Sequence, residues 1–124
     1  MDNTEKTDLH ILRIVEAEPE ISQRQLAERL GVSLGKANYL LKALLNKGHI
    51  KAGNFMRAGN KLNYAYLLTP EGITAKLQLT RAYIARKEQE YIALQAELAT
   101  MRAELGQQAN TSQAQVALQE DRRA

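Results

Sequence analysis

Along the first fifty residues, apolar positions recur at three- and four-residue spacing, the period of a helix with one face turned to a core. Leu9, Ile11, Leu12, Ile14 and Val15 make the first stripe, predicting a helix from about Asp8 to Glu18 with Thr7 as its cap. Pro19 stops it, because the residue ahead of a proline is pushed out of the helical region. A second helix begins at Ser22. Ser22 and Gln25 form a capping box, Ile21 and Leu26 stand in staple positions, and Leu26, Ala27 and Leu30 turn inward. Gly31 ends it, where a left-handed residue is usually needed.

Only Val32 separates Gly31 from the next cap, Ser33, so the third helix must leave the second at a steep angle. Val32 and Ala37 repeat the staple, Ala37, Leu40, Leu41 and Leu44 form the inward stripe, and Gly48 closes the helix. Two short helices, a tight glycine-containing turn and small Ala27 at the crossing describe a helix-turn-helix. After Gly48 the period changes to alternation. His49 to Phe55 reads as one strand, and Leu62, Tyr64, Tyr66 and Leu68 alternate with Asn63, Ala65 and Leu67 as a second. The turn between them, Met56 to Lys61, carries Arg57, Asn60 and Lys61, so the hairpin reads as a wing with a cationic tip. The plainer reading is a hairpin that only covers the core.

Thr69-Pro70-Glu71 is a helix start: a cap, a proline in the first turn and an acid near the positive end of the helix dipole. From there a helical pattern runs to about Leu105. Ile73, Leu77, Thr80, Ile84, Lys87, Tyr91, Leu94, Leu98, Met101 and Leu105 keep 4,3 spacing over more than four heptads, the pattern of a coiled-coil seam. Thr80 and Lys87 weaken its middle, so Ile84 and above all Tyr91, Leu94, Leu98, Met101 and Leu105 are the expected dimerisation residues. Glu97 and Arg102 fall at g and e positions that could pair in a parallel dimer. A helix folded back over its own domain is the alternative. The fold class expected is mainly α, an α+β winged helix-turn-helix with a two-stranded wing followed by a long C-terminal coiled-coil helix. Its parts are a winged domain over 1–70, a dimerisation helix over 71–105 and a low-complexity, disordered tail over 106–124, where Val116 and Leu118 leave room for a short helix.

Composition adds three limits. A chain of 124 residues fits one compact domain plus an extension. The absence of cysteine removes disulfides, thiol catalysis and Cys-based zinc sites, and fits a reducing cytoplasm. With a polar N-terminus and no long apolar run, neither secretion nor membrane spanning is expected.

Charge is more telling by position than in sum. The net value is only +3, yet from Arg29 to Pro70 there is no acid, while Arg29, Lys36, Lys42, Lys47, Lys51, Arg57 and Lys61 supply seven positive charges. Residues 1–19 carry two bases against five acids, and residues 68–124 carry seven of each. A phosphate backbone is the common partner of such a run, and a solvated basic face is the competing reading. On the outward side of the third helix lie Ser33, Leu34, Gly35, Lys36, Asn38, Tyr39 and Lys42. Asn reads adenine bidentately, Tyr bonds phosphate or packs on a thymine methyl, and Lys reaches guanine or phosphate. Gly35 costs about 1 kcal/mol relative to alanine at an exposed helix position, and it lets the backbone approach something closely. An ordinary amphipathic helix with a mixed polar face is the alternative. On the wing, Arg57, Asn60 and Lys61 are the candidate contacts to the minor groove or the flanking backbone.

An enzyme is not expected. His10 and His49 are the only histidines, and there is neither a metal-spaced cluster nor a glycine-rich phosphate loop, so no cofactor is implied. The partners expected are double-stranded DNA and a second copy of the chain, with an effector left open. A winged-helix module that binds protein in place of DNA is the competing function.

The segments SQRQLAERLGVSLGKANYLLKALLNKGHIKAGNF and KLNYAYLLTPEGI resemble the MarR-type winged helix regulators, most closely the short subgroup associated with exopolysaccharide biosynthesis gene clusters. The likeness covers roughly residues 8–105, and its most specific pieces are Leu26-Ala27, Leu30-Gly31-Val32-Ser33 and Leu68-Thr69-Pro70-Glu71-Gly72. It implies transcriptional regulation, with Ser33, Leu34, Gly35, Asn38, Tyr39 and Lys42 in recognition-helix positions and Arg57 and Lys61 in the wing. Full-length members of that family dimerise through helices at both ends that frame a small-molecule pocket, whereas here a single helix follows the wing.

Overall fold

The computed structural model describes residues 1–57 and 61–123. The order is α1 (Asn3–Ala17), α2 (Gln23–Leu30), α3 (Leu34–Asn46), β1 (Ile50–Arg57), β2 (Lys61–Leu68) and α4 (Pro70–Arg123). This is a mostly helical chain with a two-stranded antiparallel wing and a long C-terminal helix, as the hydrophobic pattern predicts. Met1–Ile84 and Ala85–Ala124 form two compact units.

The helix ends follow their caps. α1 starts five residues earlier than the apolar stripe suggests, because Asp2 and Glu5 form a capping box that Thr7 was expected to replace: Asp2 Oδ1 accepts from the Glu5 N–H at 2.8 Å. Thr7 instead sits inside the helix, its hydroxyl donating to the Asn3 carbonyl at 2.8 Å. α2 is capped as expected. Ser22 Oγ accepts from the Gln25 N–H at 3.1 Å, and Gln25 Oε1 accepts from the Ser22 N–H at 3.0 Å. Gly31 takes the left-handed conformation at φ 69°, and the Val32 N–H reaches the Ala27 carbonyl at 3.0 Å to close the helix. That reversal aims the chain straight into the Ser33 cap of α3.

The core is built from α1, α2, α3 and the base of the hairpin. Ile11, Leu12 and Val15 of α1, Leu26 of α2, and Leu41 and Leu44 of α3 are its largest fully buried side chains. Each contributes roughly 1.5–3 kcal/mol by leaving water. Ile50 and Tyr66 bring the two strands onto the same cluster. Two ion pairs close its margin, Asp8 to Lys47 at 3.1 Å and Glu16 to Lys76 at 2.7 Å.

β1 and β2 pair in register from Ile50 opposite Leu68 to Arg57 opposite Lys61. The expected turn is therefore shorter than Met56 to Lys61, since the ladder continues to its last two partners. Asn60 lies outside the described residues. On its other edge β2 receives the α1–α2 turn: the Tyr66 N–H donates to the Pro19 carbonyl at 2.8 Å and Asn63 Nδ2 to Glu20 Oε1 at 2.7 Å.

The passage from β2 into α4 is tied down at three points. The Thr69 N–H donates to the His49 carbonyl at 3.0 Å, its hydroxyl donates to the Gly48 carbonyl, and the same oxygen accepts from the Gly72 N–H at 3.0 Å. Gly72 is buried, and a Cβ there would overlap the His49 carbonyl oxygen. The compact unit extends past residue 70 to Ile84 because the first turns of α4 belong to it: Leu79 packs on the core and Lys76 holds Glu16. Nor does α4 end near Leu105 in a disordered tail. It passes through Gly106 and continues to Arg123. One glycine costs only about 1 kcal/mol, and residues 107–123 contain no proline and many good helix formers, Gln and Ala above all.

Gly72→Ala is expected to destabilise the protein by roughly 3 kcal/mol, since the overlap is with backbone that cannot step aside. Gly31→Ala meets only open space and pays for a left-handed residue alone, about 1–2 kcal/mol. Urea denaturation of both variants checks the steric account; equal losses would overturn it.

Candidate nucleic-acid interface

What α3 buries decides what it shows. Ala37, Leu40, Leu41 and Leu44 face the core, so the helix presents its other side. Ser33 is committed as the cap, its Oγ accepting from the Lys36 N–H at 3.1 Å. Leu34 is 47% exposed and Tyr39 66% exposed, and Gly35, Lys36 and Lys42 are exposed as well. Asn38, predicted to share this face equally, is half-buried beside the core stripe. The Lys36 ammonium lies 5.3 Å from the centre of the Tyr39 ring, a cation–π contact that draws a charge and an aromatic ring together on the surface.

Gly35 serves no packing purpose within its own domain, because a Cβ added there meets nothing within 4 Å. Its helical cost is therefore not offset by any contact inside the chain. A bare stretch of backbone flanked by Leu34, Lys36 and Tyr39 can come close to another surface.

The acid-free run proves less uniform than its sequence. Arg29 is held by Glu18 at 2.7 Å and Lys47 by Asp8 at 3.1 Å, both acids lying before the run begins. Sequence spacing alone could not pair residues 11 and 39 positions apart. Lys36 and Lys42 have no carboxylate partner among the described residues, and the Lys51 ammonium sits 5.9 Å from the Phe55 ring. Among the described side chains, the bases of the run left without a carboxylate are thus Lys36 and Lys42 on α3 and Lys51 on β1. Arg57 and Lys61 are the last paired residues of the hairpin, opposite one another in the ladder.

The sequence reading missed the clamp at Thr69 and Gly72. The Thr-Pro-Glu-Gly string signals a helix start, but only the fold reveals that His49 is the surface it presses on. Leu62 and Tyr64, on the half of β2 farther from the core, are also exposed, Tyr64 meeting Tyr66 edge-on at 5.7 Å. His10 is exposed and His49 half-buried. Among the described residues no group of three or more His, Asp or Glu could hold a metal ion, and no helix is long and apolar enough to cross a membrane.

Residues 4–51 match the family of winged helix-turn-helix DNA-binding domains. No curated protein matches the sequence. Among solved structures the chain resembles a PadR-like transcriptional regulator from Bacillus cereus, with a TM-score of 0.59 and 18% identity over 71% of this chain and 90% of that one. A variant of S. aureus MepR gives 0.55 and 20% identity over 85% and 80%. The Streptococcus pneumoniae protein FabT in complex with DNA gives 0.51 and 22% identity over 75% and 68%. Identities this low establish a common fold. Together with the family match over residues 4–51, they establish a winged helix-turn-helix fold for those residues and the hairpin that follows.

Proposed function

We propose that the protein is a sequence-specific transcriptional regulator, not an enzyme, that acts in the cytoplasm as a homodimer on an inverted-repeat operator. The observation that carries this reading is the outward face of α3: exposed Leu34 and Tyr39, bare Gly35, and Lys36 and Lys42 without carboxylate partners among the described residues. A solvated basic face has no use for a glycine in a helix or for an exposed leucine and tyrosine. A helix entering a major groove has a use for all of them. On this reading Tyr39 and Asn38 address bases, Ser33, Lys36 and Lys42 address phosphates or guanine, and Leu34 packs against base edges or sugar. Arg57, Asn60 and Lys61 reach the flanking backbone or minor groove.

Pairing is supported by α4. Ile84, Tyr91, Leu94, Leu98, Met101 and Leu105 are all exposed along it, and large apolar side chains left in water forfeit roughly 1.5–3 kcal/mol each relative to burial. A single winged domain makes few base contacts, so pairing is the usual route to specificity. The likeness of SQRQLAERLGVSLGKANYLL and LLTPEGI to the exopolysaccharide-associated regulators supports assigning the target genes to that class.

Tyr39→Ala is expected to cost ~1–3 kcal/mol on the selected operator and almost nothing on random DNA, whereas Asn38→Ala, starting half-buried, should show the smaller selective loss. Binding measured on both DNAs checks this, and equal losses would reassign Tyr39 to backbone contact. In the wing, the Arg57→Ala, Lys61→Ala double variant should lower the slope of log affinity against log salt by about two units. An unchanged slope would remove the hairpin from the interface. Binding that is absent even at low salt would favour the protein-interaction module. Leu98→Asp puts a charge in the seam and should give a folded monomer; light scattering that still finds a wild-type dimer would place the interface elsewhere.

A further inference from the structure

The charges flanking the α4 seam bear on which way two copies run. With Tyr91, Leu98 and Leu105 at a positions and Leu94 and Met101 at d, the g row is Glu90, Glu97 and Glu104, and the e row holds Gln95 and Arg102. Glu90 is engaged within its own helix, accepting from Lys87 Nζ at 3.1 Å and from Arg86 Nε at 3.3 Å. Those two bases hold its carboxyl below the ordinary range, Lys87 contributing most. Glu97 and Arg102 stand differently. Positions three and four residues away from each hold no opposite charge, and neither has an ion-pair partner among the described residues.

Five residues separate them, the offset at which a g residue of one parallel helix meets the e residue of its partner. A second copy in parallel register therefore supplies Arg102 to Glu97 and Glu97 to Arg102, two ion pairs by symmetry. Glu90 then faces Gln95, and Glu104 faces Ala109, both neutral. An antiparallel pair sets g against g. Any such register that keeps residues 94–105 of the two stripes overlapped lays the acidic row against itself. Registers that slide the acids clear bring the stripe against Gln108, Ser112, Gln115 and Gln119.

We infer that α4 binds a second copy of itself in parallel register, with Glu97 of each helix paired to Arg102 of the other. The inference rests on the reading above that α4 is the dimer interface, and deepens it: by chain connectivity, the two DNA-binding domains then both lie at the N-terminal end of the paired helices.

The absence of cysteine makes the test direct, since a single introduced thiol has no competitor. Leu94→Cys and Met101→Cys, prepared separately in the full chain and mildly oxidised, should both give disulfide-linked dimers, because equivalent d positions face each other in a parallel pair. In an antiparallel pair at most one of the two can: if position 94 meets itself, the two copies of position 101 lie about 21 Å apart along the axis. An independent arm reads the charges. Glu97→Arg should raise the dissociation constant of the parallel dimer roughly fivefold, and adding Arg102→Glu should restore it. In an antiparallel dimer Glu97→Arg would tighten association, since the substituted arginine would face glutamates. A wild-type chain that sediments as a monomer would overturn the dimer reading itself. A dimer that cross-links at one position only, or that tightens with Glu97→Arg, would overturn the parallel arrangement and leave pairing intact.

Discussion

The winged domain hangs on one side chain, Thr69. Its amide and hydroxyl both donate to the turn that ends α3, and its hydroxyl oxygen accepts from the Gly72 amide in the first turn of α4. Four elements meet there: the end of α3, the start of β1, the end of β2 and the start of α4. Buried Gly72 lets the first turn of α4 lie against His49 without a side chain between them. Because β2 ends at Leu68 and α4 begins at Pro70, no slack segment separates wing from helix. The angle at which the first turn of α4 leaves β2 is set by backbone contact, and side-chain packing elsewhere only reinforces it.

Around that junction the electrostatics sort themselves into charges that hold the fold and charges that face outward. Asp8 and Glu18 each take one cation from the basic run, and Glu16 takes Lys76. The pairs with Arg29 and Lys47 join α1 to α2 and to the end of α3, so their cations are spent on architecture. The exposed Arg29–Glu18 pair contributes little stability, about 0–1 kcal/mol, and the Lys47 pair ends on buried Asp8, but each removes a charge from the set available to a ligand. Among the described side chains the remaining bases of the run are Lys36, Lys42 and Lys51, fewer than the linear count implies.

Much of the fold was legible because its signals are local. The Ser22–Gln25 box, the left-handed Gly31, the Ser33 cap and the switch to alternation after Gly48 each act within four residues, and each appears where the sequence places it. Errors came where two local signals competed or where a partner was distant. Thr7 looked like a cap because it adjoins the apolar stripe, yet Asp2 and Glu5 offered a complete box one turn earlier. The low-complexity composition after Leu105 reads as a disordered tail, but its Gln and Ala are good helix formers, and they outweigh the penalty of the single Gly106. On the candidate interface, the residues facing away from the core were deducible from period alone. That Asn38 lies half-buried while Tyr39 stands clear was not, because a helical period assigns sectors and leaves the depth of a sector's edge to the neighbouring elements. The ion pairs of Arg29 and Lys47 were likewise hidden, since they depend on how α1 crosses the other two helices.

Tyr66 ties these threads in another way. Its ring lies in the core, its amide is bonded to Pro19 in the α1–α2 turn, and its hydroxyl lies 3.5 Å from Gln23 Nε2 at the start of α2. The paired strands are thereby fastened to the scaffold that also carries α3, from above by the core and from the side by the turn. A surface assembled from two elements usually loses entropy when a ligand fixes their relative placement. Here that loss is taken during folding, so a ligand spanning α3 and the paired strands meets a template already set to one spacing, and discriminates among shapes before any single contact is made.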